Sequence, residues 1–330
     1  EENISAFYGQ YGNKMGKFSA LLGLRVENSD ISIRSTGKEI DSVNNKNYTN
    51  LFPTVNLVYE LTETENISLG YNSRIRRPRS RFINPFPSQS SQTTIFQGNP
   101  DLDPSISHGL DVGYYKRWQQ VTFNTSLYYS HGTDIFQFIR MDTGDFTDDG
   151  IPIIRLTPIN LNTDDRYGWE FSTDYTPKKG WRFNGSFNYY NSTTEGSYEG
   201  VDYGTSFNSW FARFSSKIVL PAKIDWQTTL MYRGPRENAQ STTQANFTAN
   251  LAFSKDILKG NGTLVFNVDD LFNSRKRITE TSTDTFNQYS EFQWRQRQFR
   301  LSFTYRLKQK KDRQRERNGG GGEDDENFGS

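Results

Sequence analysis

Hydrophobic and polar positions alternate with a period of two along almost the whole chain. Phe299, Leu301, Phe303, Tyr305 and Leu307 interleave with Arg300, Ser302, Thr304 and Arg306. The same rhythm runs through Phe18, Ala20, Leu22, Leu24 and Val26, through Val121, Phe123, Leu127 and Tyr129, and through Trp181, Phe183, Phe187 and Tyr189. Successive side chains of a strand point to opposite faces, so each such segment has one apolar and one wet side. Thirteen strands are predicted, near residues 2–12, 17–27, 48–61, 65–75, 105–117, 120–141, 152–176, 180–192, 206–220, 223–234, 243–256, 261–281 and 287–308. Lipid outside and water inside an antiparallel transmembrane β-barrel satisfy both faces together.

Turn signals separate the strands at two different spacings. Short turns fall at Gly12–Gly16, Thr62–Thr64, Arg117–Gln119, Pro177–Gly180, Leu220–Lys223 and Leu258–Gly260, and longer polar loops at 28–47, 76–104, 142–151, 193–205 and 235–242. Barrels of bacterial outer membranes have short periplasmic turns and long extracellular loops, which sets the orientation. Trp118, Trp181 and Trp226 then lie beside periplasmic turns, where an interfacial aromatic girdle places them.

Composition narrows the reading. Only 33% of the 330 residues are hydrophobic, and the mean hydropathy is -0.81. Disordered chains are poor in aromatics, yet 15% of this one is Phe, Tyr or Trp. A barrel needs only half of each strand to be apolar and uses aromatic girdles, so both facts fit it. No apolar run is long enough for a transmembrane helix. There is no cysteine, which excludes disulfides and thiolate metal sites. A net charge of +1, with basic and acidic residues interspersed, gives no reason to expect nucleic acid as a partner.

An odd strand set whose first and last members both run downward cannot close in the usual even-numbered topology. The expectation is therefore a barrel over 1–307 that is the C-terminal part of a larger wall. From Lys308 onward the alternation stops. Basic residues to Arg317, a glycine spacer at Gly319–Gly322 and acids at Glu323–Glu326 predict a disordered charged tail over 308–330, in the periplasm.

Candidate chemistry is sparse. His108 and His131 are far apart in sequence and suggest neither a metal site nor catalysis, and no nucleophile elbow or phosphate loop is present. Carboxylates cluster at Asp101 and Asp103, at Asp145, Asp148 and Asp149, and at Asp164 and Asp165; solvated loop tips account for them. The expectation is no enzyme and no cofactor. Arg74, Arg76, Arg77, Arg79 and Arg81 form the densest charge cluster of the folded part. With Ile67, Leu69 and Tyr71 facing outward, Arg74 and Arg76 fall on the lumen face beside Ser68, Gly70 and Asn72. There they can meet an anionic solute, the acidic surface of a plug, or lipopolysaccharide phosphates at the rim. Phe82, Phe86, Phe96 and Phe146 in the long loops can stack on a sugar or pack the loops together.

Several motifs resemble the barrel of TonB-dependent outer-membrane receptors, in particular the outer-membrane β-barrel family. Gly98-Asn99-Pro100-Asp101-Leu102-Asp103-Pro104 is similar to the loop motif before a descending strand, with Ser105 where the family has an acid. Asp269-Asp270-Leu271-Phe272-Asn273 resembles the signature at the top of the penultimate strand, Tyr167-Gly168-Trp169-Glu170 a descending strand, and Arg76-Arg77-Pro78 the head of a long loop. The resemblance implies a 22-stranded barrel with an N-terminal plug, energised through the TonB system. Such a protein imports a large or scarce nutrient of the siderophore, glycan or peptide class. The chain would supply the last thirteen strands, without the plug. Outer-membrane lipid and lipopolysaccharide, and a surface lipoprotein as lid, are the partners this implies, in the cell outer membrane. A passive porin or a scaffold barrel of an outer-membrane assembly is the alternative.

Overall fold

The computed structural model describes residues 1–37 and 41–307. The tail expected over 308–330 lies outside the described residues.

Thirteen strands form one antiparallel wall in which every neighbour in sequence order is a neighbour in space. They are β1 (Glu2–Met15), β2 (Phe18–Thr36), β3 (Asp41–Thr62), β4 (Glu65–Arg76), β5 (Ser105–Arg117), β6 (Val121–Phe146) and β7 (Pro152–Lys178). The wall continues with β8 (Trp181–Glu195), β9 (Thr205–Leu220), β10 (Ile224–Arg233), β11 (Asn246–Ile257), β12 (Gly262–Asp269) and β13 (Gln298–Tyr305). The number and order of the strands agree with the period-two reading. Among the described residues β1 and β13 do not pair with each other, so the wall is open.

Its core is not central. The outward face exposes rows of large apolar side chains, among them Leu24, Leu127, Trp169 and Leu301, which is what a surface bathed in hydrocarbon needs. Aromatic rings run across it from strand to strand. Phe171 stacks on Phe187 at 5.5 Å, Phe187 meets Trp210 at 5.9 Å, and Trp210 stacks on Tyr232 at 3.9 Å. Near the short turns, Lys178 Nζ sits 4.1 Å from the Trp181 ring centre, a cation held against the aromatic girdle.

The loops depart from expectation. Residues expected as loop 28–47 mostly extend the β2–β3 hairpin, in register from Ser35↔Ser42 down to Asn28↔Thr49. The 142–151 loop shrinks in the same way, because β6 reaches Phe146 and β7 starts at Pro152. Alternation marks only the lipid-facing part of a strand. Above the membrane no boundary between lipid and water sets the pattern, and ladder hydrogen bonds and loop packing sustain the strand. Conversely, the two strands expected over 261–281 and 287–308 are broken. Residues Arg277–Ser282 and Asn287–Phe292 leave the wall and join Arg236–Asn238 and Ser241–Thr243 in a separate four-stranded loop sheet.

The upper β6–β7 hairpin is buried on both sides. On one side Ile139, Ile159 and Leu161 form a buried cluster with Tyr203, backed by Tyr198 and Ala239 from other loops. On the other, Phe138 meets Phe82 at 5.0 Å and Phe96 at 6.4 Å, and Thr94–Phe96 pairs in parallel with Ile154–Leu156. Gln240 completes the clasp: its side-chain amide donates to the Arg140 carbonyl at 2.9 Å and accepts from the Arg140 N–H at 2.7 Å.

Candidate functional site: a polar concave wall beneath a loop cluster

The inward face is wet along its length. Even-numbered residues of β4 and β6 (Asn66, Ser68, Gly70, Asn72, Arg74; Asn124, Ser126) line a cavity of about 940 Å³, with Asp111 and Glu170 opposite them. Such a wall offers many hydrogen bonds interspersed with apolar residues such as Val58 and Phe171, which suits a hydrated solute or a polar protein surface. Glu170 is held by Ser126 Oγ and Asn188 Nδ2, each at 3.1 Å.

Arg74 lies in this lining, exposed, while Arg76 stands one step above it with its guanidinium 5.6 Å from the Phe136 ring centre. Arg81 covers Phe96 at 4.4 Å. Arg140 lies two residues beyond Phe138 on the same strand, and burial alone holds its guanidinium below the usual value. Among the described residues none of these four arginines has a carboxylate partner. The loop phenylalanines Phe82 and Phe96 pack the loops together, while Phe86 and Phe146 remain exposed.

Arg77 does something the sequence did not disclose. Unlike Arg74 and Arg76, it turns back onto the wall and pairs with the buried Glu27, and donates to Ser29 Oγ at 2.7 Å. It anchors the foot of the 77–104 loop to β2. The sequence offered no signal beyond Glu27 on the wet phase of β2.

The two motif clusters are knots of backbone hydrogen bonding. Gly98 N–H donates to the Asn84 carbonyl at 2.9 Å, and a Cβ at Gly98 would lie 2.6 Å from the Asn84 and Phe82 oxygens. Only glycine permits that approach. Asn99 Oδ1 accepts the Asp101 N–H at 2.9 Å. Lys46 Nζ donates to the Asp101 and Leu102 carbonyls at 2.7 and 2.8 Å, and Asn44 Nδ2 reaches the Pro100 carbonyl at 3.2 Å. Leu102 is fully buried, and Pro104 lines a second cavity beside it. Asp101 and Asp103 are exposed, and each is also tied to β3, Asp101 by Asn44 Nδ2 at 2.9 Å and Asp103 by Lys46 Nζ at 2.8 Å.

In the second cluster Asp270 is buried and left-handed, with φ 56°. Its carboxylate accepts the N–H of Ser274 at 3.0 Å and of Arg275 at 2.9 Å. Leu271 N–H donates to the Ala249 carbonyl at 2.7 Å, Phe272 rests on Phe247 at 5.9 Å, and Asn273 Oδ1 accepts the Arg297 N–H at 2.9 Å. The knot turns the chain out of β12 and back towards β13.

Of the remaining carboxylates, Asp164 accepts from Thr194 Oγ1 at 2.8 Å on the inward side. Asp165 faces outward and meets His131 Nδ1 at 2.8 Å. The two histidines, distant in sequence, are direct register partners on β5 and β6.

An antiparallel wall that is greasy outside, polar inside and tied at the motif positions decides the family, and the model of the outer membrane protein beta-barrel family matches residues 1–305. The chain belongs to that family. It is a wall of the outer membrane. No curated protein sequence matches it. Among solved structures it is similar to the copper transporter OprC, with a TM-score of 0.65 at 14% identity over 92% of this chain and 47% of that one. It is similar to the ferric-catecholate import receptor Fiu of E. coli K12, with a TM-score of 0.62 at 15% identity over 92% and 44%. The FrpB iron transporter of Neisseria meningitidis (F3-3 variant) gives 0.60 at 12% over 92% and 44%. The chain thus spans less than half the length of these structures. At such identities they share its fold.

Proposed function

We propose that this chain is the C-terminal barrel part of a TonB-dependent outer-membrane receptor, one that takes up a large or scarce solute of the siderophore, glycan or peptide class. The observation that carries the reading is the polar cavity leading up to arginines set among phenylalanines in the loop cluster. The likeness in fold to OprC, Fiu and FrpB, which are transporters and an import receptor, supports it. The chain supplies wall and recognition surface, with no chemical step. Arg74 and Arg76 meet an anionic solute or the acidic surface of a plug, the Gly98–Pro104 and Asp270–Asn273 knots set the loops around them, and the 308–330 tail is periplasmic.

The test is uptake by cells carrying the full-length protein. Transport should need an energised inner membrane, and the Arg74→Ala, Arg76→Ala double variant should lower uptake at least several-fold with barrel assembly unchanged. Steady conductance in planar bilayers without any energy source would point to a passive porin instead. A surface lipoprotein lid should co-purify with the full-length protein in mild detergent.

A further inference from the structure

The chain contains two histidines. His108 on β5 is the register partner of His131 on β6. Both continue outward-facing phases: Leu110 and Val112 follow His108 with 43% and 47% exposure, and Leu127 and Tyr129 precede His131 with 64% and 45%. The pair therefore sits on the outer wall, just above the apolar rows, at the outer-leaflet boundary.

Each imidazole has one nitrogen already occupied. Tyr71 Oη lies 2.9 Å from His108 Nδ1. Asp165 Oδ1 lies 2.8 Å from His131 Nδ1 and also accepts a bond from the Tyr129 hydroxyl. Among the described residues no hydrogen bond involves either Nε2. Metal-ligating imidazoles characteristically have one ring nitrogen held by an outer partner, which fixes the tautomer and ring plane while the other nitrogen serves as ligand. Residues directly opposite in an antiparallel ladder have Cα atoms about 4.5–5.5 Å apart, within reach of one shared ion.

We propose that His108 and His131 bind one divalent transition-metal ion of the copper, nickel or zinc class through their Nε2 atoms. Asp165 and Tyr71 act as positioning residues. No three His, Cys, Asp or Glu side chains converge on one point among the described residues, so the protein supplies two ligands and water the rest. Imidazole selects these ions over magnesium and calcium, which prefer oxygen. The ion would clamp β5 to β6 on the outside of the wall, independently of what passes through the inside.

The experiment adds Cu²⁺ alone to the full-length protein in detergent and records its electron paramagnetic resonance. One equivalent should show nitrogen coupling from two imidazoles and be displaced by Zn²⁺. That equivalent should vanish in His108→Gln and in His131→Gln. Asp165→Asn should weaken binding by about 10- to 100-fold while keeping the two-nitrogen signature. Copper binding unchanged in the double histidine variant, or no binding by the parent protein beyond that variant's, overturns the site. If a variant fails to assemble, Zn²⁺ protection of His108 and His131 from diethyl pyrocarbonate, read by peptide mass spectrometry on the parent protein, decides the matter. Equal modification with and without zinc refutes the proposal.

Discussion

Tyr128 on β6 lies across Gly168 on β7. A Cβ at Gly168 would stand 2.5 Å from the phenol ring, and the Tyr128 hydroxyl passes over it to Asn188 Oδ1 at 3.1 Å on β8. The tyrosine thereby covers the bare backbone of its cross-strand partner and links three strands. Gly168→Ala should displace the ring, lose the bond to Asn188 and destabilise the wall by about 1–3 kcal/mol, since overpacking a fitted site costs that much. Urea unfolding in detergent reads the loss. Adding Tyr128→Ala should restore only part of it, because the Tyr189 carbonyl also lies 2.6 Å from that Cβ.

Asp270 should be far more sensitive than its exposed neighbour Phe272. Asp270→Ala leaves the Ser274 and Arg275 N–H groups without an acceptor in a buried place, at about 1–3 kcal/mol each. Asp270→Asn keeps one acceptor oxygen and tolerates the left-handed backbone, so it should be milder. Hydrogen exchange over 262–282 should rise strongly in the alanine variant, weakly in the asparagine one, and hardly at all in Phe272→Ala.

Removing Arg77 should release the long loop it anchors. Glu27 is only 4% exposed and holds two guanidinium groups, Arg77 on one oxygen and Arg25, whose Nε donates at 2.8 Å, on the other, so losing Arg77 removes one of two charged partners at about 1–3 kcal/mol. In Arg77→Met, proteolytic cutting between 79 and 97 should accelerate at neutral pH.

Asp134, in the extracellular part of the β6–β7 hairpin, titrates against the usual trend. Burial, helped by the nearby charge of Asp103, holds its carboxyl above the ordinary range. The folded hairpin therefore binds this proton more tightly than the unfolded chain, so ionisation opposes folding and stability rises as pH falls through the raised pKa. Asp134→Asn, which also suits the φ of 54°, should leave the protein equally or more stable at pH 7. It should also remove this segment's gain on acidification, measured by hydrogen exchange over 134–162 between pH 7 and pH 4.

Period-two patterning needs only local chemistry, because a residue's phase within its strand decides whether lipid or water surrounds it. Hence the thirteen strands, their order, the two faces and the inward placement of Arg74 were legible in the amino-acid sequence, as was the outer-membrane barrel family. The motif glycine and Asp270 were legible as positions, though not as hydrogen-bond knots. Phase carries little information above the membrane, where no boundary between lipid and water separates the two faces. There the extended β2–β3 hairpin, the loop sheet that takes up Arg277–Ser282, and the Gln240 clasp on Arg140 depend on which distant backbone groups come within reach. Register is likewise a property of the assembled sheet. It set Tyr128 upon Gly168 and brought His108 opposite His131, while the turn of the chain after β4 carried Arg77 onto Glu27.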